Sequence, residues 1–375
     1  MAEAYRFGIE EEMFLASART RAAPQRSVSA FHDEAQRRLK SVERELLKNQ
    51  VEICTPPAAR FAEARAGLAA LRAGLAEIGR RHGLLVFAAG THPTASWPDQ
   101  KQTQKARYEA MMEDLQIVGR RSVVCGLHVH VEVPRPESRV DTMKRLMPFL
   151  PVLLALSTSS PFFEKRRTGL AGYRLRAYAE LPRTGLPELF DDAADFDRYV
   201  AGMTKAGAVK DPTYFWWQVR PSIRYPTLEL RVADSCTRLE DTLTIAALYR
   251  CLVRLLDRRP DLHARMTGAS RGFVMENLWR VERDGVHATL IDEASLGAVP
   301  LRKALDATLA LTEEDAEALG CRAECEHARQ IVRRGSSADI QVATYEAALK
   351  DGRSERQALS AVIDWLAAET ANVAA

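Results

Sequence analysis

The chain has 375 residues, of which 46% are apolar and 27% charged, the proportions of a folded globular protein, and disorder over most of its length is excluded. Its 53 basic and 50 acidic residues leave a formal charge of +3, which supplies no global field for nucleic acid or an anionic membrane, so neither is expected as a partner. Function has to reside in a local site.

In chain order, YRFGIEEEMFL opens as a strand and is followed by an Arg-, Ala- and Ser-rich loop over 16–30. The acids near this end stand where a secretory leader carries a basic and then an apolar segment, and the expected location is the cytoplasm. Leu39, Val42 and Leu46 recur at helical spacing and predict a helix. VEICTPP is a short strand stopped by two prolines. Over 60–81, Phe61, Ala64, Leu68, Leu71, Leu75 and Ile78 draw one continuous stripe, an amphipathic helix that Gly83 ends. LLVFAAG (84–90) predicts a buried strand, THPTASWPDQ a loop, 104–120 a helix, and GLHVHVEV (126–133) a strand of strict period two.

A helix interrupted by Pro148 and Pro151 covers 138–159, and its apolar run LMPFLPVLLALS is too short to span a bilayer. Residues 160–213 are mixed. TYFWWQVRPSIRYPTLELRVAD holds two strands separated by PSIRYP, and 239–257 is helical. The part from about 258 to 375 is mostly helical, with a capping box of Ser354 and Gln357 at the last helix. Strands and helices without regular βαβ alternation predict an α+β fold, read as a single domain over 1–375. The six cysteines, at 54, 125, 236, 251, 321 and 325, read as reduced thiols. Cys321 and Cys325 share a helix face, but without a second pair a structural role is preferred to a metal site.

In GLHVHVEV, Leu127, Val129, Val131 and Val133 point to one side and His128, His130 and Glu132 to the other. Taken alone, this is a strand with a solvated face. The same division recurs elsewhere. In GIEEEMF, Glu10 and Glu12 share a face with Glu11 opposite, and like charges that close are relieved by a cation between them. In VEIC, Glu52 leaves the strand between Val51 and Ile53. In TLELRV, Glu229 and Arg231 share the polar face, a pattern that a cross-strand ion pair also explains. Gathered on one sheet, these faces would form a concave wall of hard oxygen ligands with imidazoles and a fixed guanidinium. Such a wall suits Mg2+ or Mn2+ bridging phosphate oxygens, and so a nucleotide. No glycine is followed by lysine, no two glycines are spaced i, i+2, and Gly-x-Ser-x-Gly is missing. The P-loop, the dinucleotide fingerprint and the serine elbow are therefore excluded.

FGIEEEMFL, ELLKNQVEICTP, AAGTHPTASWPDQ, ARYEAMMEDL, VCGLHVHVEV, LSTSSPFFE, WWQVRPSIRYPTLELRVADSC and ENLWRVERDGV, in this order over roughly 5–370, resemble the motifs of the carboxylate-amine ligases called glutamate-cysteine ligase type 2. The resemblance implies a glutamine synthetase-like catalytic domain, with a curved antiparallel sheet as the floor of a funnel flanked by helices. It implies an ATP-dependent ligase in which a glutamate-like carboxylate attacks the γ-phosphate and an amine captures the acyl phosphate, with magnesium neutralising the phosphates. A homodimer is implied as well. Carried over by residue, Glu10, Glu12 and Glu52 are metal ligands, with Glu45 as a further acid. His128 or His130 and Glu229 complete the metal shell. Arg231 holds phosphate oxygens, Arg220 and Arg224 meet the carboxylate substrate or ATP, His130 and Arg224 join the nucleotide site, and Glu52, Arg220 and Arg231 form the catalytic set. Arg280, in ENLWR, could reach the substrate or lie exposed on a helix.

The chain departs from the family pattern at Glu132, an additional acid where the family has glycine, and in the loop after the first strand, which lacks the family's Asp-Pro and Thr-Gly wording. Two other readings compete with the ligase. One is an iron or zinc oxygenase or hydrolase using His128, His130 and a carboxylate as a facial triad. The other is a nucleotide-binding protein without catalysis. On the ligase reading, Glu10→Gln, Glu229→Gln and Arg231→Ala should each abolish ADP release with the fold intact.

Overall fold

Alternating apolar and polar residues assemble into one antiparallel sheet in the computed structural model, which describes residues 5–24 and 28–373. Its strands are β1 (Phe7–Ser17), β2 (Val42–Arg44), β3 (Gln50–Cys54), β4 (Leu84–Phe87), β5 (Leu127–Glu132), β6 (Val219–Pro221) and β7 (Thr227–Leu230). The order across the sheet is β6-β7-β5-β1-β3-β2, and β4 pairs with the end of β1. The α+β class expected from the sequence is the one observed.

The core face carries Ile9, Met13, Val51, Ile53, Val129, Val131, Leu228 and Leu230, all buried. The helix α1 (Ser29–Arg38) precedes β2, and the long helix α2 (Phe61–Arg81) presents its predicted stripe to the core through Phe61, Leu68, Leu75 and Ile78. A second long helix, Leu239–Arg258, packs against α2 and β5. Glu11 projects into this layer, as its alternation with Glu10 and Glu12 requires, and is fully buried. There Arg72 grips it with two bonds of 2.9 and 2.5 Å, Thr242 donates to it at 2.5 Å, and Arg72 also reaches the carbonyls of Thr237 and Cys236. Removing one partner of such a pair costs about 3–5 kcal/mol, because the other charge is left buried alone.

On the opposite face of β1, polar character ends at Glu12. Phe14, Ala16 and Phe87 join Leu359, Val362, Ile363 and Leu366 of the helix Glu355–Ala371 in a second apolar cluster. The C-terminal helices thus cover one end of the wall and leave the other end open to a cavity. Among the described residues, no helix is long and apolar enough to cross a membrane.

Several local expectations need correction. Val42 and Leu46 do not continue a helix: α1 ends at Arg38, and Val42–Arg44 pairs with β3. Three apolar residues at helical spacing do not outweigh a ladder supplied by the strand that follows. The strand expected over 84–90 stops at Phe87. A hairpin, Thr289–Asp292 with Gly297–Pro300, interrupts the helical C-terminal part. The prolines at 148 and 151 divide the 138–159 helix as expected, and Ser354 with Gln357 forms the capping box. Residues 25–27 of the loop after β1 lie outside the described residues.

Candidate active site

Directly opposed residues of an antiparallel ladder project from the same face. Glu10 stands opposite His128, Glu12 opposite Glu52, His130 opposite Glu229, and Glu229 opposite Arg220. Every site residue in the catalytic, nucleotide and metal sets read from the sequence, from Glu10 to Arg231, lines one cavity of about 480 Å³.

At the acidic end, carboxylate oxygens of Glu12, Glu45 and Glu52 lie within 4.8 Å of one another. Burial, and then the neighbouring Glu45 charge, pushes the Glu12 carboxyl up to about 7. Burial also raises Glu45, and raises Glu52 together with repulsion from Glu45, Glu10 and Glu12. His128 is 3% exposed; its Nδ1 lies 3.6 Å from Glu10, while its Nε2, 4.0 Å from Glu12, has no hydrogen-bond partner among the described residues. Burial, and then the Arg231 charge, lowers this imidazole to about 4, so the ring is neutral near pH 7 and has the form that ligates metals. Burial works against ionisation of Glu10, but hydrogen bonds from His128 and His130 outweigh it and hold that carboxyl below the usual range. His130 completes the link, with Nε2 3.4 Å from Glu10 and Nδ1 3.0 Å from the Thr227 hydroxyl. A divalent cation fits this end: it would relieve three crowded carboxyls and give the orphaned His128 nitrogen a partner.

The other end is built on Glu229, which is 4% exposed. Arg220 binds it bidentately at 2.8 and 3.1 Å, and Arg231 Nη1 donates at 2.5 Å. Burial opposes its charge, yet the guanidinium groups of Arg220 and Arg231 hold the carboxyl well below the usual range. Arg220 directs its remaining Nη1 to the carbonyls of Thr213 and Phe215, so its bonds stay within the protein. Arg231 differs. Its Nη2 donates to the Tyr178 hydroxyl at 3.3 Å, and its Nε has no partner among the described residues. Arg224 is an exposed residue at the cavity rim.

Arg174, Tyr178 and Lys105 also line the cavity and escape a reading of the sequence. Arg174 is 2% exposed, donates to the Arg231 carbonyl at 3.2 Å, and has an Nε without a partner among the described residues. The available signal is Gly126 at the head of the His strand, since a glycine there marks close approach by another group. Two residues considered for the site lie outside it. Glu132 sits at the strand end, opposite Thr227, and accepts from the Arg6 amide at 3.3 Å. It does not line the cavity. Arg280 pairs with Glu276 on its own helix and donates to the Thr289 carbonyl, also away from the cavity.

The family model described as glutamate-cysteine ligase family 2 matches residues 6–360. A protein of Bradyrhizobium sp. (strain ORS 278) named "Putative glutamate--cysteine ligase 2" is 45% identical over 367 residues, covering 98% of this chain and 88% of that one. A protein of the same name from Rhodospirillum rubrum is 43% identical over 375 residues, covering 98% and 96%. Among solved structures, a glutamate–cysteine ligase from Francisella tularensis in complex with AMP superposes with a TM-score of 0.74 at 12% identity, covering 98% of this chain and 89% of that one. A bifunctional glutathione synthetase from Pasteurella multocida gives 0.70 at 14% identity, covering 98% and 53%. The fold is therefore the glutamine synthetase-like ligase fold that the motif resemblance implies. The chain belongs to glutamate-cysteine ligase family 2 and is an ATP-dependent carbon–nitrogen ligase.

Proposed function

We propose that the cavity joins a glutamate-like carboxylate to an amine at the expense of ATP, with an acyl phosphate as the intermediate. The observation that supports this reading is the division of one wall into a three-carboxylate end and an end with two incompletely bonded guanidinium groups, Arg231 and Arg174. Glu12, Glu45, Glu52 and the free nitrogen of His128 would hold magnesium, with Glu10 and His130 beside them. Magnesium there would neutralise phosphate oxygens and support in-line transfer.

The chain's own groups do the rest. Arg231 and Arg174 meet the negative charge that grows on the transferring phosphoryl group, where fixed donors in a low-dielectric site act most strongly. Tyr178 and Glu229 hold Arg231 in place, and Arg220 neutralises the second half of Glu229. In this reading Glu229 orients Arg231, a different role from the metal ligation that the resemblance implies. Arg224 at the rim receives the nucleotide or the carboxylate substrate. The facial-triad alternative leaves Glu12, Glu45, Glu52 and Arg231 without work, and family membership sets it aside.

The whole chain acts in this proposal as one catalytic unit, a homodimer in the cytoplasm, where its six free cysteines would stay reduced. The test is a pairwise screen of amino acids and amines with ATP, following phosphate release and the mass of the product. An amide formed in step with ADP is expected. ATP hydrolysis without any coupled amide across glutamate-like carboxylates would refute the assignment.

A further inference from the structure

We propose that Cys251, Cys321 and Cys325 form a three-thiolate site for Zn2+, buried between two helices and separate from the ATP cavity. Cys251 lies on the helix Leu239–Arg258. Cys321 is the N-cap residue of the helix Arg322–Arg334, and Cys325 follows one turn later on the same face. The Cys251 sulfur is 3.5 Å from that of Cys321 and 3.8 Å from that of Cys325, and all three lie within 4.8 Å of one another. A tetrahedral zinc with Zn–S bonds of about 2.3 Å holds its sulfurs about 3.8 Å apart, so the two edges of the triangle that meet at Cys251 are close to those of such a site. None of the three residues lines the cavity described above.

Charge supplies the second observation. Arg250, next to Cys251, is 1% exposed and forms no ion pair with a carboxylate among the described residues. Its Nε donates to the Tyr5 carbonyl at 2.8 Å, its guanidinium lies over the Phe7 ring at 4.8 Å, and its Nη1 has no partner among the described residues. The thiols of Cys321 and Cys251 lie close enough for their charge to act on it. A guanidinium buried without a counter-ion is costly. Three thiols that release three protons to solvent and bind one Zn2+ carry a net charge of −1, which Arg250 cancels. A monovalent copper ion would leave an uncompensated negative charge in the core. The position of Cys321 at a helix N-terminus further favours its thiolate.

The experiment is metal analysis of the full chain purified without chelators or metal-affinity resin. About one zinc per chain is expected, falling about tenfold or more in Cys251→Ser and in Cys325→Ser and unchanged in Cys236→Ser, a buried thiol elsewhere in the core. Because a buried substitution can prevent folding, the wild-type chain is also stripped with a chelator. Its melting temperature should fall and recover when zinc is returned, and Cd2+ in place of zinc should give a thiolate charge-transfer band. The proposal is overturned if the wild type holds no zinc and gives no such band with Cd2+, if Cys251 and Cys321 are found joined as a disulfide, or if both serine variants keep zinc.

Discussion

Gly126 provides the space that Arg174 occupies: a Cβ at position 126 would fall 2.8 Å from the Arg174 Cζ and closer still to Nη2. The same glycine donates its amide to Glu12 at 2.6 Å, so one residue without a side chain sets both an acid and a cation of the cavity. Gly126→Ala must displace the guanidinium, and loss of one charged hydrogen-bonding contact of about 1.5–3 kcal/mol predicts a fall of about 10- to 100-fold in kcat/KM for ATP. Arg174→Ala should cost a similar amount. The double variant should be little worse than either single one, since both remove the same contact, and additive losses would count against the relationship.

Glu229→Gln is predicted to cost stability as well as activity. Its carboxylate neutralises Arg220 and Arg231 at once, and an amide would leave two largely buried guanidinium groups facing each other. A loss of about 3–5 kcal/mol is expected in urea unfolding, together with loss of ADP release. Arg231→Ala leaves the Arg220–Glu229 pair in place and should lose ADP release at a smaller cost in stability. The expectation that both substitutions spare the fold equally therefore divides, and equal unfolding midpoints for the two variants would contradict the structure.

The polar wall is legible in the sequence because alternation within a strand cannot be evaded. Val51 and Ile53 bury themselves only if Glu52 points away, and the same holds for Glu229 between Leu228 and Leu230. That these faces meet is a matter of register, which no single strand records and which only the family motifs made readable. Arg174 is hidden for another reason: it lies in AGYRLRAY, a segment without a clear period, and reaches the wall across a long connection. Arg72 is hidden within a helical stripe, where an arginine between Leu71 and Leu75 looks solvent-facing until its partner Glu11 is known. Val42 shows the converse failure, a local spacing overridden by pairing with a strand that follows it.

His92 predicts a dependence of stability on pH that is independent of catalysis. Its ring is 1% exposed and packs edgewise on Phe14 and Phe87, with centroids 5.3 and 5.0 Å away. Burial lowers its pKa from 6.5 to about 4. Between these values the unfolded chain takes up a proton that the folded chain refuses. Stability from this site is therefore complete above pH 6.5 and is lost as pH falls toward 4, by about 3 kcal/mol in all. In urea unfolding at neutral pH and near pH 4.5, His92→Gln should show a shallower acid loss than the wild type. A slope unchanged by the substitution would assign the acid sensitivity to other groups.

Magnesium should stabilise the chain, and the acids that hold it should destabilise the chain when it is absent. Glu12, Glu45 and Glu52 crowd like charges into a buried corner, an arrangement that favours a bound cation and penalises an empty site. At a magnesium concentration about 100-fold above its dissociation constant, binding adds about 2.7 kcal/mol, read as a rise of the melting temperature. Glu52→Gln removes one repelling charge. It should melt at a higher temperature than the wild type in EDTA, respond weakly to magnesium, and fail to release ADP. A variant that melted lower than the wild type in EDTA, yet kept the full magnesium response, would show that this carboxylate serves the fold and not the cation.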